Sequence, residues 1–562
     1  MLALRAPFQR RRFNVAAFTA VALAATLLSA RLGVAQTPAP APAAGTDRPT
    51  LVVMIMIDQL RGDYLDRFRP TLTGGLARLV REGAVFMNGF HDHANTETAP
   101  GHASPLSGRH PRSHGVVLNS AGVPDAQYPL IGGGGPGASP FRFRGTSLFD
   151  WMRLSDPNSR ALAVSRKDRG AILPLGRSKQ PAFWYAAPGR FTTSSYYADT
   201  LPDFVTAFNA RGSLAALAGK QWEPLLEPRF YAERDTVPEE RPGQPVEQYT
   251  FPYTLATDLE AASPELLYFP WMDSLTIDLA LDGLVAMELG GGQHTDLLSL
   301  SLSTTDAIGH RFGPDSKELH DQMIRVDRQL GRFLDSLYTL RDPRRVIIAL
   351  TSDHGVSPLP GAPSRDPNQN ARRVDVYTPF RALRDEVSER GIGFAGFRLD
   401  NGELRLDRRE FATHGIDADS VIDVFIARTR AIPGVLRVDR MRDLAAADTV
   451  ADPIARRWLH MYPDDIMPEA VITLTPFSAW GNATYAQHGS PHDYDANVPI
   501  IFHGAPFVAR RIDDVVRVID IAPTLARALE VRPLERLDGV VLEKALRSTR
   551  VGAGRRAENE QP

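Results

Sequence analysis

The 562-residue chain contains no cysteine. That absence excludes disulfide frameworks, cysteine-type zinc sites and thiol nucleophiles together, and leaves His, Asp and Glu as the ligands for any metal. It also lacks an excess of charge of either sign. Its 64 Lys and Arg against 66 Asp and Glu give a net charge of −2, so no global field recruits nucleic acid or an anionic membrane. An anionic small-molecule substrate must therefore find its affinity in a local site. After residue 30 no apolar run reaches the length of a membrane span. There is no G-x-x-x-x-G-K-[ST] phosphate loop, and the formal G-x-G-x-x-G match at 132–137 lacks the helix that a dinucleotide fingerprint requires.

What is present is globular: 43% hydrophobic and 23% charged residues exclude a disordered or fibrous chain. The N-terminus is read as an export signal over 1–35. Arg5, Arg10, Arg11 and Arg12 form a basic segment, 13–30 is apolar, and Gly33-Val34-Ala35 supplies small residues for cleavage. The Arg10-Arg11 pair leaves both the general and the twin-arginine export routes open. This places the protein in the periplasm or outside the cell, without stable membrane association once the signal is removed. A Pro/Ala linker at 36–49 precedes a folded region at 50–545, and 546–562 is expected to be a flexible tail.

Within the folded region, apolar strand-like runs at 51–57, 84–90, 296–303, 345–351 and 498–503 alternate with helical patterns at 74–82, 275–289, 318–340 and 519–529. That alternation predicts an α/β fold, a central mainly parallel sheet with helices on both faces. Two stretches, about 124–270 and 368–466, break the pattern and are expected as insertions capping the core. The second is an α+β lobe with a hairpin around Asn401-Gly402.

Ligands of open α/β sheets gather beyond the carboxyl ends of strands, and several polar groups fall there. Asp58 follows the first strand, Asp306 and His310 follow the strand ending near 303, and Asp353 and His354 follow the strand ending at 351. His488 lies just before the last one. Any one of these carboxylates alone reads as a helix cap. Together they suggest a metal site, because Asp306 and His310 are one helical turn apart and imidazole with carboxylate suits zinc. Two sets of three such ligands make a two-metal site, which suits in-line phosphoryl displacement. Thr98, in Glu97-Thr-Ala-Pro-Gly-His102, reads equally as a plain helix N-cap or as a nucleophile placed where an incoming phosphate is favoured. His91, His93, His102, His114 and His492 read as supporting histidines rather than ligands.

The set Asp58, Thr98 in Thr-Ala-Pro-Gly-His, Asp306-x-x-Gly-His310, Asp353-His-Gly355 and His488-Gly-Ser490 resembles the alkaline phosphatase superfamily, including its nucleotide pyrophosphatase/phosphodiesterase branch. The likeness runs in order from about 51 to 542. It implies an alkaline-phosphatase-like α/β fold and two zinc ions per chain, one on Asp306, His310 and His488 and the other on Asp58, Asp353 and His354. The same likeness implies that Thr98, as nucleophile, also contacts metal and bridges toward the substrate. Ser165-Arg-Lys-Asp-Arg-Gly170 further resembles the threonine-dependent, PafA-like alkaline phosphatases. That likeness puts Lys167, Arg169 and Asn119 on the phosphoryl oxygens of a small-molecule monoester, with turnover through a phosphothreonine at Thr98. A solvated basic turn is the plain reading of those charges, but aliphatic residues flank them on both sides. The sulfatase pattern Cys/Ser-x-Pro-x-Arg is absent. The alternatives are a phosphodiesterase or nucleotide pyrophosphatase using the same metals, and a catalytically silent zinc-binding periplasmic protein.

Overall fold

The computed structural model describes residues 48–547, except 134, 187, 363, 367–371 and 482. The export signal, nearly all of the linker and the tail beyond 547 lie outside the described residues.

The chain builds a ten-stranded sheet. Its strands are β1 (Leu51–Ile57), β2 (Ala84–Phe90), β3 (Ala161–Ser165), β4 (Ala182–Ala186), β5 (Arg190–Thr192), β6 (Asp296–Leu302), β7 (Val346–Thr351), β8 (Asn497–His503), β9 (Arg510–Ile512) and β10 (Val516–Arg517). They lie in the order β9-β2-β8-β7-β1-β6-β3-β4-β5, with β10 also on β2. β1 is parallel to both β6 and β7, β3 is parallel to β6 and β4, and β8 runs antiparallel to both its neighbours. The sheet is therefore mostly parallel, as the alternating pattern predicts.

The continuous apolar run of β1 has a physical use, because both faces of that strand are covered. Leu51, Val53, Ile55 and Ile57 enter one hydrophobic core, while Val52, Met54 and Met56 enter a second on the opposite face. Of the helices, α1 (Thr98–Ser107), α2 (Thr304–Phe312), α3 (Lys317–Leu340) and α4 (Ile521–Leu529) matter most here. Leu319, Met323, Leu330, Phe333 and Leu337 of α3 fill the first core. Ala99, Ala103 and Leu106 of α1 join Ile521, Ala522 and Leu525 of α4 in the second.

The α+β lobe carries a four-stranded antiparallel sheet ordered Phe397–Asp400, Glu403–Leu406, Ala470–Leu474, Val435–Arg440. Its hairpin turns at Asn401 and Gly402, both with positive φ (46° and 78°), as an Asn-Gly turn favours. The third strand of this sheet lies past 466, so the lobe draws on the segment that returns toward the core.

Candidate active site

Four neighbouring strands end level, and that register makes the site. Ile57 of β1 pairs with Leu302 of β6, Met56 with Thr351 of β7, and Ser165 of β3 with Ser301 of β6. The residues that follow them therefore emerge side by side: Asp58, Asp306, Asp353 with His354, and Lys167. His488 approaches from the loop before β8, and its Nδ1–H donates to the Thr96 carbonyl at 2.8 Å.

Asp306 is the hub. Its Oδ1 lies 3.2 Å from His310 Nε2 and 3.8 Å from His488 Nε2, and its Oδ2 lies 2.7 Å from Lys167 Nζ. His354 Nε2 stands 3.5 Å from Asp58 Oδ1 and 3.5 Å from Asp353 Oδ2. Two triads here have ligand atoms within 4.8 Å of one another: Asp306, His310 and His488, and Asp58, Asp306 and His354. Asp353 lies beside the second triad and is engaged by supporting groups. Its Oδ1 accepts the Gln59 N–H at 3.1 Å, and His102 Nδ1 is 3.2 Å from its Oδ2.

The donor chemistry fits divalent cations. His310, His354 and His488 each donate Nδ1–H to a backbone carbonyl, of Ala486, Gly355 and Thr96 at 2.6, 2.9 and 2.8 Å. Such a bond fixes the tautomer and leaves Nε2 as a lone-pair donor. Asp58 Oδ1 and His354 Nε2 are buried without a hydrogen bond, which is costly unless a cation satisfies them. Burial, followed by Asp306 and Asp353, holds the Asp58 carboxyl well above the usual range. Burial pushes Asp306 up too, yet Lys167 and His310 outweigh it and hold that carboxyl well down. Burial, with His354 and His310, keeps His488 neutral. Three buried carboxylates face Lys167, with Arg166 Nη2 a further 4.0 Å from Asp306 Oδ2.

Thr98 is buried, and its Oγ1 lies 3.2 Å from Lys167 Nζ. The cap expected at Thr98 falls one residue earlier: Glu97 is extended at the N-cap, and Thr98 is the first residue of α1. Its hydroxyl is thus free of the capping duty, because Asn119 Oδ1 accepts the Ala99 N–H at 2.8 Å. Asn119 in turn donates its backbone N–H to Glu97 Oε2 at 2.7 Å. Lys167 and Arg169 line a cavity of about 1180 Å3 together with Asp306 and His310. Buried Arg169 Nε has no hydrogen-bond partner.

The supporting histidines take distinct places. His102 bridges Thr98 O at 2.9 Å and Ser301 Oγ at 2.9 Å, and His91 Nε2 lies 2.8 Å from Ser352 O. His114 contacts Ser104 Oγ at 3.1 Å, and His492 Nε2 lies 2.8 Å from Leu474 O. His91 and His93 rings meet edge to face. A third cluster, Asp92, His110 and His460, also has metal-compatible spacing. Asp92, however, is already paired with Arg456 at 3.0 Å and Arg517 at 2.9 Å, which makes it an ion-pair hub.

Sequence reasoning missed Gln59 and Glu97. Gln59 has φ of 64° and donates Nε2–H to Asp306 Oδ1 at 2.9 Å. Its only signal was adjacency to Asp58. Glu97 receives Asn401 Nδ2–H from the lobe at 3.1 Å, and burial pushes its carboxyl up to about 7.

A model of the type I phosphodiesterase/nucleotide pyrophosphatase family matches residues 52–453, and the chain belongs to that family. It is 29% identical over 510 residues to alkaline phosphatase PafA of Elizabethkingia meningoseptica, covering 86% of this chain and 92% of that one. It is likewise 29% identical over 526 residues to alkaline phosphatase PhoK of a Sphingomonas species, covering 88% and 91%. The crystal structure of wild-type alkaline phosphatase PafA superposes with a TM-score of 0.82 at 26% identity, over 89% of this chain and 99% of that one. The resemblance drawn from the motifs therefore holds, and the chain is a member of the alkaline phosphatase superfamily.

Proposed function

We propose that this protein is an exported alkaline phosphatase that hydrolyses small-molecule phosphate monoesters through Thr98. The observation that carries the proposal is the contact of Lys167 Nζ with both Thr98 Oγ1, at 3.2 Å, and the Asp306 carboxylate, at 2.7 Å. It sets a cation where the nucleophile meets phosphorus. Asp306, His310 and His488 would hold one zinc ion, and Asp58, Asp353 and His354 the other. Zinc bound there would lower the pKa of the threonine hydroxyl and offset charge on the departing oxygen.

In the first step Thr98 Oγ–H gives its proton to solvent and the Oγ–P bond forms as the ester P–O bond breaks, while the alcohol leaves with a proton taken from solvent. In the second, a water oxygen bonds to phosphorus as the Thr98 Oγ–P bond breaks, and a proton of that water restores the Thr98 hydroxyl, releasing phosphate. Lys167 and Arg169 meet the non-bridging oxygens, where a monoester carries more charge than a diester, and the Asn119 amide supplies a third donor. His102 holds the first turn of α1 against Ser301, which fixes the nucleophile's position. The basic, apolar and small-residue pattern of 1–35 supports export.

Diester hydrolysis is the second reading, favoured by the family match over 52–453. The deciding experiment is kcat/KM of the zinc-reconstituted protein on p-nitrophenyl phosphate and on bis-p-nitrophenyl phosphate, before and after chelator dialysis. A monoester preference that chelation abolishes supports the proposal. A diester preference replaces it with the second reading, and activity that survives chelation removes the metals.

A further inference from the structure

The cavity that holds Lys167 and Arg169 carries three further guanidiniums that the proposed chemistry does not use: that of Arg166, 4.0 Å from the Asp306 carboxylate, and those of Arg241 and Arg311. Arg311 follows His310 on α2, and Arg241 lies in the turn after Pro238–Glu240; both line the cavity beside Asp306 and His310. Among the described residues neither takes part in an ion pair, and the Nε atoms of both are buried without a hydrogen bond. Arg311 is held in place by the rings of Tyr268 and Phe312, each 5.2 Å from its guanidinium carbon.

The carboxylates nearby do not balance this pair. Glu265, whose Oε2 accepts the Ala256 N–H at 2.9 Å, lines the same cavity and is one carboxylate for two guanidiniums. Burial, then Glu318 and Asp235, pushes the Glu240 carboxyl up to about 11, so it is neutral at pH 7. Two arginines against one carboxylate leave net positive charge in a part-buried wall, where burial and then Arg241 hold the Arg311 guanidinium below its ordinary value. An oxyanion received by both would offset that charge with charge-assisted hydrogen bonds.

We propose that Arg241 and Arg311 form a second anion subsite for an acidic group, phosphate or carboxylate, carried by the leaving group of the substrate. The favoured substrates are then monoesters of alcohols that already bear a negative charge. This rests on the phosphomonoester reading, with Lys167 and Arg169 at the phosphoryl end.

The test is calorimetric binding of non-hydrolysable ligands to the zinc-reconstituted full chain: phenylphosphonate, 3-carboxyphenylphosphonate and 1,3-phenylenebisphosphonate. In the wild type a second acidic group is expected to tighten Kd about tenfold, the worth of one charge-assisted hydrogen bond. Preference for one acidic ligand over the other identifies whether carboxylate or phosphate is taken. In Arg241→Gln, which is remote in sequence from the metal ligands, and in Arg311→Gln that ratio is expected to fall toward one. Equal binding of all three ligands by the wild type overturns the subsite, as does a ratio that neither substitution changes. Hydrolysis of phenyl phosphate is measured in parallel. If the wild type discriminates among the phosphonates but does not turn phenyl phosphate over, the subsite stands and the monoesterase reading falls.

Discussion

Lys167 Nζ stands 3.2 Å from Thr98 Oγ1 while its other contacts are the carboxylates of Asp58, at 2.5 Å, and Asp306, at 2.7 Å. One ammonium thus touches the proposed nucleophile and a carboxylate of each proposed ligand set. A rigidly placed cation at that point is worth roughly 10²–10³ in rate, by analogy with removal of one preorganised donor. Lys167→Ala is expected to lower kcat/KM on p-nitrophenyl phosphate by about that factor, and on the diester by much less. Equal losses on both substrates would mean that Lys167 serves only the carboxylates.

Gly309 explains the glycine in Asp306-x-x-Gly-His310. A Cβ there would lie 1.8 Å from Gln59 Oε1, and Gln59 is the side chain that holds Asp306 Oδ1. Gly309→Ala is therefore expected to displace Gln59 and weaken zinc affinity about 10–100-fold, the usual cost of losing a group that orients a ligand. Gln59→Ala in the same background relieves the clash without restoring affinity. Competition with a chromophoric chelator reads both variants, and unchanged zinc affinity in Gly309→Ala would remove this role from Gln59.

Asp495 makes stability depend on pH. Burial pushes its carboxyl from 3.8 up to about 7, against hydrogen bonds from Ser490 Oγ and N–H at 2.6 and 3.0 Å. Its Oδ1 is buried without a partner. The fold therefore favours the protonated form. That stabilisation is complete below about pH 4 and is lost as pH rises through 7, a change of about 1–4 kcal/mol. Asp495→Asn imitates the protonated acid, so its melting temperature should fall less between pH 5 and 8 than that of the wild type. Parallel melting curves for the two proteins would show that Asp495 titrates as it does in the unfolded chain.

The strand ends were legible because each is an apolar run closed by a polar group, and β1, β2, β6, β7 and the hairpin at Asn401-Gly402 lie where those patterns lie, to within a residue. The sheet's parallel character followed from the alternation with helices. What could not be read was the extension of the central sheet beside β6 by β3, β4 and β5, which lie inside the stretch 124–270 expected as a capping insertion, or the register of that sheet. Only the level pairing of Ile57 with Leu302 and Ser165 with Ser301 brings Lys167 to Asp58. The position of Thr98 in the first turn, rather than at the cap, depends on Asn119 reaching back across 20 residues to Ala99, and no local pattern announces such a contact. Gln59 and Glu97 were missed for the same reason: their roles come from Asp306 and from the Asn401 hairpin, both distant in sequence. Arg241 and Arg311 look like ordinary surface charges until the cavity places them beside His310.

The central claim is that the oxygen attacking phosphorus belongs to Thr98. Its most direct test is kcat/KM of zinc-loaded Thr98→Ala on p-nitrophenyl phosphate, with zinc content measured beside it. With zinc retained, a loss of at least ~10³-fold is predicted, since a displaced nucleophile removes the step that the other groups serve. Activity within about tenfold of the wild type, with zinc bound, would contradict the account and assign the attack to water.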